Sequence, residues 1–257
     1  SFKKFFAYKE PREYNKYMEN NKNLLHFGLI LGLALIISAG IGSYTFYNLR
    51  SQDYISTTGS AKKAVTSDKV KWITSITRAT TISKIKEGYT NIDADLKEVK
   101  NFLIASGIPE TEITVAPVWM NEVYEQYQSA DKKYNLTQNI EINSADVAKI
   151  DNLSKNTNSL IINKGILFST NSLEYYYSKL PEVRVELLAD AVLDAKARAQ
   201  KLAEAGGKSI GTLKSASSGV VQVMSPNSID VSDYGMYNTS TIEKEIMITV
   251  KGSFQIK

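Results

Sequence analysis

The stretch LLHFGLILGLALIISAGIGSYTFYNL, residues 24–49, decides where the rest of this chain lies. No charged residue occurs between Lys22 and Arg50. At about 1.5 Å per residue, a helix of this length outspans the ~30 Å hydrocarbon core of a bilayer. A single charge at its centre would cost about 2.5–3.5 kcal/mol on an insertion scale, so the lack of charge is informative. The stretch therefore predicts one transmembrane helix.

The charges that flank this helix predict its orientation. Residues 1–23 contain six Lys or Arg and three Asp or Glu. The positive-inside rule then places the tail in the cytoplasm and residues 50–257 outside it. Phe27 near one end and Tyr44 near the other fit aromatic anchors at the two interfaces. We expect a single-pass protein of the inner (cytoplasmic) membrane, with a tail (1–23), a membrane helix (24–49) and a periplasmic or other extracytoplasmic domain (50–257).

A cleaved signal peptide is the competing interpretation of the same stretch. The small residues Gly40-Ile41-Gly42 could be cut by a peptidase. The apolar run is, however, longer than the core of a signal peptide, which favours an uncleaved anchor.

Small residues within the helix suggest a packing surface. Gly28 with Gly32, and Ser38 with Gly42, have the small-xxx-small spacing that lets two membrane helices approach closely. The alternative is that Gly and Ala are simply common in membrane helices.

Composition excludes several classes of site outside the membrane. The chain has no Cys and one His, His26, which we interpret as interfacial. Disulfides, thiolate metal sites and Ser–His or Cys–His catalytic pairs are therefore excluded in the exported domain. Residues 24–257 hold 25 basic and 24 acidic residues, which argues against nucleic-acid binding. Ser60-Ala61-Lys62-Lys63 matches Ser-x-x-Lys, but the accompanying hydrolase motifs are missing. We expect no enzyme, no cofactor and no metal.

Hydrophobic periodicity predicts an α+β domain in which helices pack on an antiparallel or mixed sheet. Two strands, 54–64 and 69–80, are predicted to pair as a hairpin. Apolar residues spaced three or four apart then predict a helix that ends at Gly107; they are Ile85, Tyr89, Ile92, Leu96, Val99 and Leu103. This stripe could also be a coiled-coil seam, although three heptads is short.

The second half of the domain continues this pattern. Strands are predicted at 112–122 and 134–143, followed by a helix at 145–160. A short strand at 165–169 and two further strands at 211–222 and 246–256 complete the prediction. A strong helix runs from Pro181 to Gly206, and its predicted buried stripe is Leu188, Val192, Ala195, Ala199 and Leu202. Residues 223–240 lack any period, so we expect a long loop or a hairpin extension, which in a compact domain is usually functional or disordered.

Tyrosines supply the candidate interface residues. Tyrosine is favoured at protein interfaces because its ring buries area while its hydroxyl can still bond. The candidates for an oligomer interface are Tyr124, Tyr127, Tyr175, Tyr176, Tyr234 and Tyr237. The alternative is that some of them pack into the core of the domain.

Several segments, in order, resemble one known family. They are 58–61 (TGSA) with 65–68 (VTSD), 103–109 (LIASGIP), 134–137 (YNLT), and 194–206 (DAKARAQKLAEAG) followed by Ile210-Gly211. Together they are similar to the SIMPL-domain family, the bacterial periplasmic immunogenic and oxidative-stress-defence group. The resemblance covers residues 54–257. Ser67 departs from it where Pro is expected, and so does the retained anchor, since many relatives look like exported soluble proteins.

The resemblance implies an α+β envelope domain that assembles into ring- or cage-like oligomers linked to stress tolerance. It brings no established catalytic residues. We therefore expect a membrane-anchored, non-catalytic protein that forms a large homo-oligomer. The alternative is an extracytoplasmic ligand-binding sensor or chaperone-like module.

Overall fold

A computed structural model of the chain describes residues 11–50, 53–124 and 131–257. Its first element is one long helix, α1 (Pro11–Arg50). Within α1, Leu24–Tyr47 is long and apolar enough to cross a membrane, and none of that segment is buried against the rest of the chain. This segment is therefore a candidate membrane span by its length and composition.

The rest of the described chain is α+β, with two five-stranded sheets. The first sheet contains β1 (Tyr54–Thr66), β7 (Ile210–Ser218), β8 (Gln222–Met224), β9 (Met236–Tyr237) and β10 (Glu243–Ile256). The second contains β2 (Lys69–Thr81), β3 (Ile113–Val115), β4 (Trp119–Glu122), β5 (Lys133–Ser144) and β6 (Leu167–Tyr176). The other helices are α2 (Ile85–Ala105), α3 (Val147–Lys155), α4 (Asn158–Lys164) and α5 (Leu180–Ala205).

The predicted hairpin of 54–64 with 69–80 is wrong. β1 pairs along its whole length with β10, from Tyr54 opposite Gln255 to Thr66 opposite Glu243. β2 instead pairs with β5 and β6, in the other sheet. Ser67 and Asp68 carry the chain from one sheet to the other: the Ser67 amide donates to Ile242 and the Asp68 amide to Tyr176. A two-residue connection suits a hairpin equally well, so the sequence does not reveal this crossing.

The second sheet packs one face on α2, α3 and α4. Trp72 and Ile140 from the strands meet Ile92, Val99 and Leu103 from α2 in one buried cluster. This confirms the predicted α2 stripe, although Tyr89 is 42 % exposed. Gly107 has a φ of +85°, and the next amide returns to the carbonyl of Leu103, so the predicted helix end is also confirmed.

α5 packs on β1 and β10 in the first sheet. Its buried residues recur every four positions: Val183, Leu187, Ala191, Ala195, Ala199 and Ala203. The predicted stripe was right at Ala195 and Ala199 but wrong at Leu202, which is 57 % exposed. An every-fourth row runs obliquely around a helix, and the last four members of this row are alanines.

Several predicted elements are divided more finely. Residues 112–122 form β3 and β4, separated near Pro117, which has no amide hydrogen for the ladder. The predicted helix at 145–160 is two helices that meet at residues 156–157. The sixth strand, predicted at 165–169, runs on to Tyr176 as β6. The predicted strand at 211–222 is divided at Gly219, and the predicted loop at 223–240 contains most of β8 and all of β9.

Gly59 marks the closest approach of α5 to β1. A Cβ at this position would lie 2.2 Å from both the Ala191 oxygen and the Ala195 nitrogen. The Thr57 hydroxyl donates to the Ala195 carbonyl at 2.7 Å across the same contact. Only a residue without a side chain lets the helix lie this close to the strand.

Gly59→Ala should therefore destabilise the domain by about 3 kcal/mol or more, at the upper end of overpacking costs, because helix backbone must move. Urea unfolding followed by circular dichroism measures the change. The matched control is Gly206→Ala, where the added carbon meets its nearest atom at 3.4 Å, an ordinary contact. Equal stability of the two variants would contradict the packing described here.

Candidate functional site

The small residues of α1 lie on two different faces. A shallow apolar groove includes Gly28 and Gly32 and is flanked by Leu25, Leu29 and Ile36. Ten residues of helix rotate Ser38 and Gly42 roughly 80° away from that pair. Apart from neighbouring residues and the nearby backbone of α1 itself, no atom lies within 4 Å of where a Cβ would stand at Gly28, Gly32 or Gly42. Each pair therefore offers a separate open surface.

Tyr175 is in the core, which corrects its place among the interface candidates. Its side chain is 5 % exposed and belongs to the buried cluster of the second sheet. Its hydroxyl donates to Asp151 at 2.7 Å. Burial, together with this hydrogen bond to the carboxylate, raises the pKa of the phenol. Almost none of its surface is left for a partner.

Tyr176 and Tyr237 contact each other where the chain passes between the sheets. Their rings are 5.8 Å apart. The Tyr237 hydroxyl accepts a hydrogen bond from the Tyr177 amide at 2.8 Å. The Tyr176 hydroxyl donates to Glu174, and this hydrogen bond, aided by burial, raises the pKa of Tyr176 to about 12. The contact between the two rings therefore joins the second sheet, which contains Tyr176, to the first sheet, which contains Tyr237.

The exposed aromatic residues lie elsewhere. Tyr124 is 89 % exposed just after β4, and Tyr234 is 96 % exposed in the loop between β8 and β9. That loop, residues 225–235, also exposes Ile229 at 92 % and Val231 at 64 %. Tyr127 falls outside the described residues.

We use the name junction for residues 66–69, 176–179 and 237–244, where the chain crosses between the sheets. Asp68 lies at its centre and accepts both the Ser178 amide at 2.8 Å and the Ser178 hydroxyl at 2.6 Å. Partial burial opposes ionisation of Asp68, but these hydrogen bonds outweigh it and lower the pKa. The sequence singled out Tyr176, Tyr237 and the segment 65–68, but it did not predict that they meet at one junction, and it did not single out Ser178 or Lys244.

A buried lysine completes the junction. Lys244 is 1 % exposed, and its ammonium donates to the Asn238 carbonyl at 2.5 Å and the Thr241 carbonyl at 2.8 Å. It also lies 5.7 Å from the centre of the Tyr237 ring. Because burial disfavours its charge, the pKa of Lys244 falls to about 8. Strand alternation could have found it, since Lys244 has the same parity as the buried residues Ile246 and Ile248.

The Ser-x-x-Lys match does not form a nucleophile–base pair. Lys63 is ion-paired with Glu186 at 2.6 Å, and this hydrogen bond raises its pKa, whereas a general base needs a lowered one. Ser60 offers its backbone amide to Asp194 at 2.8 Å. Across the described ranges, no group of three or more His, Cys, Asp or Glu side chains could hold a metal.

The lowered pKa of Lys244 predicts that the free energy of unfolding increases as the pH rises above 8. The unfolded chain keeps this proton up to a pKa near 10.5, whereas the folded chain releases it near 8. Between these values the unfolded state binds more protons, so the free energy of unfolding should rise by up to about 1.4 kcal/mol per pH unit. Urea unfolding of the detergent-solubilised chain at pH 7.0, 8.5 and 9.5 measures this. Lys244→Met should lose the rise, whereas Lys214→Met on β7 should keep it; parallel pH profiles for all three proteins would contradict the assignment.

The resemblance to a known family is confirmed by comparison. The profile of the family described as "SIMPL: Protein of unknown function (DUF541)" matches residues 55–254. This chain belongs to the SIMPL family, and the matched region contains both sheets and begins after α1. Among curated proteins, no match to the chain was found.

Proposed function

We propose that this SIMPL protein is a membrane-anchored, non-catalytic envelope protein that assembles into a large ring- or cage-like homo-oligomer and supports tolerance of envelope or oxidative stress. The observation that carries the assembly is the exposed apolar tip of the 225–235 loop. Ile229 and Tyr234 are more than nine-tenths exposed and lie close in sequence on one connection. These two side chains would be removed from water if the loop packed against a neighbouring subunit, and burial of apolar surface is favourable.

An open strand edge supports the same proposal. β7 pairs on one side with β10, and most of its side chains are exposed. A nine-residue edge of this kind presents unpaired backbone groups that can extend a sheet into a neighbouring subunit. The opposite edge strand, β1, is partly occupied, since the Ser60 amide already donates to Asp194 of α5. One edge of the first sheet is therefore more available than the other.

The anchor supports a surface-bound assembly. Each subunit would add one α1 helix to the membrane, so weak contacts of individual helices multiply in an oligomer. The Gly28–Gly32 groove gives α1 a face on which a second helix can lie closely. The excess of basic residues in the tail supports a cytoplasmic N-terminus and an extracytoplasmic domain.

The alternative is a ligand-binding sensor or chaperone-like module. One observation favours it: a cleft of about 390 Å³ lies under the 225–235 loop. Its lining combines Val220, Val231 and Met247 with the polar side chains of Gln222 and Ser232. Such a mixture of apolar and polar groups can hold a small molecule.

The assembly is tested by measuring the mass of the full chain in detergent. The unchanged protein should form a large oligomer at micromolar concentration, and Ile229→Ser combined with Tyr234→Ser should weaken assembly at least tenfold, because both removed side chains would be buried between subunits. The matched control combines Val185→Ser with Leu202→Ser, which removes two exposed apolar residues of α5. A monomeric unchanged protein would refute the proposal.

The proposed orientation is tested by cysteine labelling. Because the chain has no native Cys, only the introduced cysteine can be labelled. A membrane-impermeant maleimide added to bacterial spheroplasts should label Asp230→Cys in the exposed loop but leave Glu10→Cys in the tail unlabelled until the membrane is opened. The reverse pattern would contradict the orientation. A soluble product that lacks residue 10 would instead establish a cleaved signal peptide.

A further inference from the structure

The second sheet has a face turned away from its helices. Residues of β2 and β5 alternate, and one set, including Trp72, Ile76 and Ile140, forms the core with α2. The other set points to the opposite side and is half-buried or exposed in most positions. We call this second side the open face.

Strand register shows which residues meet on the open face. One row crosses four strands: Trp119 lies opposite Thr137, Thr137 opposite Thr77, and Thr77 opposite Leu167. The next row on one side joins Asn139, Ser75 and Ser169. The row on the other side joins Asn121, Asn135 and Ala79. Adjacent strands lie about 4.8 Å apart and rows about 6.8 Å apart, so these side chains form one continuous surface. It is polar except for Trp119, Leu167 and Ala79.

Asparagine is the unusual component of this surface. Ser and Thr are ordinary on a solvated sheet face, whereas Asn is depleted in strands. Here Asn121, Asn135, Asn139 and Asn143 all lie on the open face of β4 and β5. A register shift in β6 between the partners of Ile73 and Thr74 adds Asn171, whose oxygen accepts from the Ser75 hydroxyl at 3.1 Å.

Three amides of the open face are free to bind. In the part of the chain that the structure describes, the side chains of Asn121, Asn135 and Asn139 have no hydrogen-bond partner. An amide both donates and accepts, which matches a hydroxyl or an acetamido group that does the same. Folding has therefore placed three unused amides on one face of the second sheet.

The open face lacks charge along its three central rows and carries an exposed aromatic ring, and both features indicate which kind of ligand it could bind. The three rows described above contain no ionisable side chain. On the row beyond Asn139, the charge of Glu141 is offset by Lys71 at 3.2 Å, and Lys133 lies on the row beyond Asn135, at the end of the face. Trp119, at the edge of the face, is 52 % exposed and offers a flat apolar ring. A neutral ladder of amides and hydroxyls beside an indole complements a neutral chain of pyranose rings, which carries hydroxyls at its edges and C–H groups on its faces.

We propose that the open face of the second sheet is a binding site for a neutral polysaccharide. Trp119 stacks on a sugar ring, while Asn135 and Asn139 bond the hydroxyl or acetamido groups of neighbouring rings. The site is separate from the 225–235 loop to which the assembly was assigned. It is therefore tested independently of the oligomeric state.

The fluorescence of the exposed residue Trp119 can be used to measure binding. The chain has two Trp residues, and Trp72 is fully buried, so a change in fluorescence on binding reports Trp119. The probes are cellohexaose and chitohexaose, titrated to about 5 mM into the full chain in a detergent without a sugar head group. Polygalacturonate serves as a charged comparison. We expect a saturable fluorescence change with at least one neutral hexasaccharide and a weaker response to polygalacturonate.

Variants assign the site. Asn135→Ala combined with Asn139→Ala should weaken binding at least tenfold by calorimetry, and so should Trp119→Ala. The matched control combines Asn101→Ala with Asn163→Ala, two exposed asparagines on α2 and α4. It should bind within twofold of the unchanged protein, and circular dichroism should show all variants folded. Absence of saturable binding to both hexasaccharides, unchanged affinity in the double variant, or preference for polygalacturonate would each overturn the proposal.

Discussion

The two crossings of the chain between the sheets are the constraint on which the rest of the domain depends. Residues 69–176 form the second sheet and its helices, and they interrupt the chain between β1 and α5. The first sheet is therefore complete only when β1 pairs with β10 and packs on α5, both of which follow that insertion. Asp68 on the outward crossing accepts two hydrogen bonds from Ser178 on the return crossing. A charged acceptor strengthens both bonds, and the pair fixes where the two halves separate.

The segment before β10 adds a second tie at the same place. The Asn238 amide donates to Val223 in the first sheet, while the Thr239 carbonyl accepts from Tyr175 in the second. Lys244 holds the carbonyls of Asn238 and Thr241 from beneath. Burying this ammonium without a carboxylate partner costs free energy. Its two hydrogen bonds to carbonyl oxygens offset part of that cost. The 225–235 loop is therefore free at its tip but fixed where it returns to the sheet.

Local pattern was enough to predict most elements but not their partners. The α2 stripe, its end at Gly107, the apolar helix α1 and the final strand follow from periodicity and backbone preference within single segments. The crossing at Ser67 and Asp68 and the pairing of β1 with β10 depend on residues more than sixty positions apart. The burial of Tyr175 depends on its place beside Val70 of β2 in the second sheet. The open face also depends on strand pairing, because three asparagines spaced along β5 look like an ordinary polar strand until the register aligns that strand with Asn121 and Trp119.

Assembly and polysaccharide binding would strengthen each other. A single flat face with one stacked ring and a few amides binds weakly, because each hydrogen bond replaces one to water and contributes only about 0.5–1.5 kcal/mol. A ring of subunits repeats that face at fixed spacing, and a polysaccharide repeats its own units, so the second and later contacts form at high effective concentration. A membrane anchor on every subunit would hold the array at one surface. Weak individual sites then suffice, which fits a face built from neutral side chains without a deep pocket.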